Sequence, residues 1–157
     1  MSLPTIGAIA PDFCLMDQNE NEVRLSNFRG KSNVLVYFYP KALTPGCTVQ
    51  ACGVRDSVSE FKELNTVVLG ISPDKSGKLL SFDAKYSLGF TLLSDPEHLT
   101  AEAYGVWGLK KFMGREYLGI IRTSFLIDQN GSLVRIFDKV NTKNHDDLVI
   151  SYIRSMP

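Results

Sequence analysis

Two stretches of the chain are apolar almost without a break, NVLVYFY (33–39) and TVVLGIS (66–72). Runs of this length suit strands buried on both faces rather than strands with one wet side. Between them, Pro45 to about Leu64 carries apolar residues at helical spacing. A strand–helix–strand crossover of this kind makes the two buried strands parallel. Before the first run, DFCLMDQNENEVRLSNF reads as a hairpin, with a short strand, a polar turn at Asp17–Asn21 and a strand near Glu22–Leu25. After the second run, DKSGKLLSFDAKYS predicts a helix, FTLLSD a strand, and HLTAEAYG a short helix ending at Gly105. GIIRTSFLID and SLVRIFDKV predict two strands around QNG, a strong hairpin turn signal. Asn144 can cap a last helix, with Asp146 and Asp147 in its first turn and LVISYI as its apolar part.

The order β-α-β followed by β-β-α is that of a thioredoxin-like core. The expected fold is therefore α/β and thioredoxin-like, with an N-terminal β-hairpin and an inserted helix–strand–helix segment. The length of 157 residues is that of one domain, expected over 1–157, and suffices to bury a core without staples. Lys plus Arg and Asp plus Glu are both 17, so the net charge is zero and nothing favours nucleic acid or an anionic membrane surface. The longest unbroken apolar run, VLVYFY, is too short to span a bilayer. MSLPTIGAIAPDF has neither the basic start nor the apolar core of a secretory signal. Three cysteines are an odd count at low density, unlike a secreted disulfide scaffold. A reducing, cytoplasmic setting is expected, and there the question about a cysteine is its reactivity.

That question centres on YPKALTPGCTVQACG (39–53). Pro40 to Cys47 follows the carboxyl end of strand 33–39, where open α/β sheets place their ligands. Thr44 fits an N-cap and Pro45 the first helical position, so Cys47 falls in the first turn. Free N–H groups and the positive end of the helix dipole stabilise an anion there, and the thiolate is the nucleophilic form of cysteine. At about 100° per residue, Cys47, Ala51, Val54, Val58 and Phe61 lie on one stripe, which turns Cys47 toward the sheet. Cys52 lies about 140° away. In a regular helix the two Cα atoms would be about 8–9 Å apart, beyond the roughly 7 Å limit for a disulfide. A Cys47–Cys52 bond therefore requires the first turns of the helix to unwind; otherwise the two do not bond. Position alone equally permits Cys47 as a small core hydrophobe, Thr44 as a simple cap and Pro40 as a strand end.

Other residues carry less. Cys14 reads as a buried small hydrophobe in a strand. His98 and His145 each begin a helix and lack metal-ligand spacing to a cysteine, so no metal or other cofactor is expected. GVWGLKKFMG (105–114) has no phosphate-loop setting and reads as a loop over the site mouth, with Lys110–Lys111 on a solvated face. NGS at 130–132 is explained by the hairpin turn.

Pro40, Thr44 and Cys47 fit the peroxiredoxin pattern Pro-x-x-x-Thr-x-x-Cys. YFYPKALTPGCTVQACGVRD closely resembles the bacterioferritin-comigratory, or peroxiredoxin Q, subgroup, and the resemblance continues in GISPD, FTLLSD, YGVWG and GIIRTSFLID. It implies a thiol peroxidase that reduces hydrogen peroxide and organic hydroperoxides. Cys47 would be the peroxidatic cysteine, oxidised to a sulfenic acid. Thr44 would orient thiolate and peroxide, Pro40 would shield the thiolate from water, and Arg122 would match the family's active-site arginine. Read alone, Arg122 is an arginine in an apolar strand, on one face with Ser124 and Leu126, and an edge strand would explain it equally. The resemblance makes Cys52 the resolving cysteine, giving an intramolecular Cys47–Cys52 disulfide that thioredoxin or a similar dithiol protein reduces, in a chain that is commonly monomeric. A thioredoxin-type disulfide oxidoreductase would need Cys-x-x-Cys, and this chain has Cys-x-x-x-x-Cys. A redox sensor on the same fold is the non-catalytic alternative.

Overall fold

The computed structural model describes residues 3–156. Its strands are β1 (Cys14–Asp17), β2 (Glu22–Arg24), β3 (Asn33–Phe38), β4 (Thr66–Ser72), β5 (Thr91–Ser94), β6 (Trp107–Phe112), β7 (Arg115–Ile120), β8 (Thr123–Ile127) and β9 (Leu133–Phe137). Its helices are α1 (Pro45–Asp56), α2 (Val58–Glu63), α3 (Ser76–Tyr86), α4 (Leu99–Ala103) and α5 (His145–Ser155), with one tight helical turn at Leu25–Phe28.

Seven strands form one mixed sheet in the order β2-β1-β5-β4-β3-β8-β9. β3, β4 and β5 run parallel, and β8 pairs antiparallel with β3 and with β9. The continuous apolar runs are explained by burial on both faces. Leu35, Tyr37 and Tyr39 face a cluster with Cys47, Ala51, Val54, Phe61, Leu79, Phe82, Val149 and Ile150. Val34, Val36 and Phe38 face the other side, against Leu25, Ala101, Tyr104 and Phe125. α1, α2, α3 and α5 thus cover one face and α4 the other. The expected N-terminal hairpin is β1–β2, closed by the Asp17 carboxylate accepting from the N–H groups of Asn19 and Asn21. The inserted segment is α3-β5-α4.

Several expectations are corrected. The helix expected over 45–64 is two helices, broken at Ser57, whose hydroxyl donates to the Asp146 carboxylate on α5 at 2.6 Å. That tertiary bond draws Ser57 out of helical geometry, to φ −108° and ψ 6°. The segment 105–114, read as a loop, starts a β-hairpin, β6–β7, that pairs only with itself among the described residues. Gly114 turns it at φ +79°, which glycine adopts without strain. The strand expected from Gly119 is interrupted. β7 ends at Ile120 and β8 starts at Thr123, so Arg122 lies between strands and not in an edge strand. Cys14 is exposed rather than buried, with its Sγ 3.7 Å from a Glu22 carboxylate oxygen. The pleat explains it, since β1 buries its alternate positions, Leu15 and Asp17, more deeply.

Candidate active site

Helix α1 starts beyond the carboxyl end of β3, as expected. Thr44 occupies the N-cap position and Pro45 follows at N1. The Thr44 side chain does not cap the helix, however. Its hydroxyl donates to the Lys41 carbonyl at 2.7 Å and so braces the loop before the helix. The Asp74 carboxylate accepts from the Ala42 N–H at 2.7 Å and from the Ser72 hydroxyl at 2.8 Å, which ties this loop to the end of β4. Leu43 within it sits at φ +68°, a left-handed conformation that costs a branched residue energy and requires such bracing.

Cys47 is 2% exposed and packs in the core cluster, as the helical stripe requires. Its thiol is free, as is that of half-buried Cys52, and α1 is unbroken from Pro45 to Asp56 across both. The first i to i−4 bond of α1 runs from the Thr48 N–H to the Thr44 carbonyl. The N–H groups of Gly46 and Cys47 therefore belong to the unpaired set at the helix start and point toward an anion held there.

Arg122 reaches this turn from the short link between β7 and β8. Its Nη2 donates to Cys47 Sγ at 3.3 Å, and its Nη1 donates to Gln50 Oε1. Gln50 is 1% exposed although polar, because it sits one turn beyond Cys47 on the buried side of α1. Gly46 lies under the guanidinium, where a Cβ would stand 3.6 Å from Nη2. The link itself is fixed by the Ile121 N–H donating to Val106 and by the Thr123 hydroxyl donating to Ile121.

A second buried polar layer lies behind the first. Ser124 on β8 and His145 at the start of α5 meet at 2.7 Å through the hydroxyl and Nε2. The Tyr37 ring lies 5.4 Å from the His145 ring and packs closely on Gly70, where a Cβ would fall 2.9 Å from Cζ. Burial pushes the Tyr37 hydroxyl well above the ordinary tyrosine range, so it stays protonated. Burial also holds the His145 imidazole down at about 4, against the pull of Asp146 and with the push of Arg122, so it is neutral near pH 7.

Pro40 and Thr44 open onto a cleft of about 380 Å³. Its far wall is the β6–β7 hairpin, through Trp107, Lys110, Tyr117 and Leu118. Residues 105–114 do line the mouth, then, as a strand pair rather than a loop. Lys110 is half-buried in this wall, while Lys111 is exposed and pairs with Glu116 at 3.6 Å. The solvated face expected for both lysines holds only for Lys111. Trp107 is set in place by stacking on His98, 3.8 Å between centroids and 3° between planes.

The structure thus joins Arg122 to Cys47 directly and sets Pro40 and Thr44 on the cleft at the start of α1, with Cys52 on the same helix. Sequence reasoning passed over Gln50, put Lys110 on a solvated face and read His145 only as the start of a helix. Gln50 gave one signal, a polar side chain at a buried helical position; the other two depend on which elements pack together. Among the described residues no group of three or more His, Cys, Asp or Glu side chains could hold a metal ion, and no helix is long and apolar enough to cross a membrane.

Residues 6–136 match the AhpC/TSA family. A protein of Haemophilus influenzae named putative peroxiredoxin bcp is 59% identical over 97% of each chain. Peroxiredoxin Bcp of Escherichia coli is 54% identical over 94% of each. Among solved structures, a mutant PrxQ of Xylella fastidiosa superposes with a TM-score of 0.92 at 27% identity, covering 99% of this chain and 98% of that one. Peroxidoxin BcpB of Mycobacterium tuberculosis gives 0.85 at 31% identity over 97% of each. The thioredoxin-like α/β fold expected from the order of elements therefore stands.

Proposed function

The chain belongs to the AhpC/TSA family, among its Bcp peroxiredoxins, and on that footing we propose that this thiol peroxidase works through Cys47, with Cys52 as its resolving partner. The observation that carries the assignment of roles is the Arg122 guanidinium 3.3 Å from the buried Cys47 sulfur. The Cys47 thiolate attacks the distal oxygen of a hydroperoxide. The O–O bond breaks, an alcohol or water leaves with a proton, and the sulfur is oxidised to a sulfenic acid. Arg122, with the N–H groups of Gly46 and Cys47, holds the negative charge that passes from sulfur to the leaving oxygen. Thr44 positions the peroxide at the end of the cleft, and Pro40 keeps water off the sulfur. Gln50 keeps the guanidinium in its plane beside Cys47.

The Cys52 thiol then attacks the sulfenic sulfur. The S–O bond breaks, water leaves, and a Cys47–Cys52 disulfide forms. Thioredoxin or a similar dithiol protein returns both thiols by exchange, taking the disulfide onto itself. The helical spacing of the two cysteines means that α1 opens at residues 45–53 in each cycle. Hydrogen peroxide and organic hydroperoxides are both substrates in this reading, and the chain acts as a single domain and a monomer in the reducing cytoplasm, in antioxidant defence and redox homeostasis.

Intact mass and peptide mapping after one equivalent of hydrogen peroxide on the reduced protein tests this. A loss of two hydrogens mapped to Cys47–Cys52 is expected. An oxygen adduct on Cys47 alone removes Cys52 from the mechanism, and no fast change at Cys47 ends the peroxidase assignment.

A further inference from the structure

The cleft in front of Pro40 and Thr44 is lined by two cations, Lys41 and Lys110, and by no carboxylate. Lys110 is the deeper of the two. Its Nζ donates to the Ile120 carbonyl at 2.8 Å, and it has no carboxylate partner among the described residues. An ammonium carries three N–H donors, so two remain for a ligand. Gly119 eases this placement, because a Cβ there would stand 3.3 Å from Lys110 Cδ, closer than ordinary van der Waals contact. Arg122 is already engaged, shared between Gln50 and Cys47. Burial and the Arg122 charge hold the Lys110 ammonium below the ordinary lysine range, with Cys47 opposing. The rest of the wall is apolar, from Trp107, Tyr117 and Leu118. A half-buried, unpaired cation in an apolar cleft is complementary to an amphiphilic anion.

We propose that Lys110 is a specificity-determining residue, whose ammonium binds the carboxylate of an acidic organic hydroperoxide while the apolar wall takes its carbon skeleton. This rests on the peroxidase reading of Cys47. It predicts selection for acidic over neutral hydroperoxides of the same shape.

The test compares the rate of Cys47 oxidation by a cumene hydroperoxide carrying a ring carboxylate with that by its methyl ester. In Lys110→Met the acid-to-ester rate ratio is expected to fall about tenfold, the size of one lost charge-assisted hydrogen bond. Lys110→Arg, which keeps the charge, should retain most of the ratio. An unchanged ratio in Lys110→Met overturns the proposal. Wild-type protein oxidised at Cys47 by hydrogen peroxide, with that same unchanged ratio, would leave the peroxidase reading standing; inertness to all three oxidants would remove both. A second measurement needs only wild-type protein. Octanoate should slow alkylation of Cys47 by iodoacetamide, and octanol at equal concentration should not. Equal effects, or none, overturn the proposal independently of how the variants fold.

Discussion

Arg122 Nη2 stands 3.3 Å from Cys47 Sγ across 75 residues of sequence, and its Nη1 is held by Gln50 on the same helix as the thiol. The guanidinium fork thus spans one turn of α1, gripping the Cys47 sulfur and its own anchor at once. A planar fork can do this; a single ammonium cannot. Arg122→Met is expected to lower the rate of Cys47 oxidation by hydrogen peroxide by about 10²–10³, the range for losing one preorganised donor at a developing charge. Arg122→Lys should recover only part of it. Stopped-flow rates on the reduced protein decide this, and an Arg122→Lys variant at wild-type speed would show that the fork geometry is unimportant.

Cys47 faces the core and Cys52 is half-buried on another side of α1. A disulfide between them cannot form on an intact helix. Amide exchange across 45–53 should therefore rise when the reduced protein is oxidised, while β3 and β4, paired along their full lengths, stay protected. Unchanged protection at 45–53 in the disulfide form would rule out the unwinding.

The far end of α1 is fastened to α5 by the Ser57 hydroxyl donating to Asp146 at 2.6 Å, and Gly53 lets α5 come close, since a Cβ there would lie 2.9 Å from Asp146 Oδ1. This bond lies just beyond the segment that must open. Ser57→Ala strands a buried carboxylate and should cost about 1–3 kcal/mol in urea unfolding. It should also let unwinding spread past residue 56, which hydrogen exchange on the oxidised variant would register as protection lost into α2. Protection in α2 equal to wild type would show that the helix break itself, and not this bond, sets the limit.

His145 binds its proton at about 4 in the folded protein, because burial disfavours the imidazolium, and near 6.5 when unfolded. Between these values the unfolded chain takes up more protons, so acid favours unfolding. The His145 contribution is complete above about pH 6.5 and falls away down to about pH 4, by up to roughly 3 kcal/mol. Urea midpoints at several pH values for wild type and His145→Gln check this. The pH dependence across that window should be weaker in the variant, and parallel curves would contradict the assignment.

The sequence by itself determined the layered fold and the place of Cys47 at the start of a helix. The runs at 33–39 and 66–72 have one physical outcome, strands buried on both faces, and Thr44, Pro45 and the stripe through Phe61 place Cys47 in the first turn of a core-facing helix. These are local signals, fixed by period and by helix-start chemistry. What local pattern could not carry is what depends on contacts between distant elements. The continuous helix expected over 45–64 breaks at Ser57 because Asp146 draws its hydroxyl. Cys14 is exposed because the pleat turns it outward. Arg122 falls outside a strand because the hairpin β6–β7 pairs with itself and ends at Ile120, before β8 begins at Thr123. Only the tertiary structure closes Arg122 onto Cys47 through Gln50, and only it moves Lys110 from a solvated face into the cleft wall. A side chain's partner across 75 residues is set by how the sheet and helices pack, which no spacing along the chain encodes.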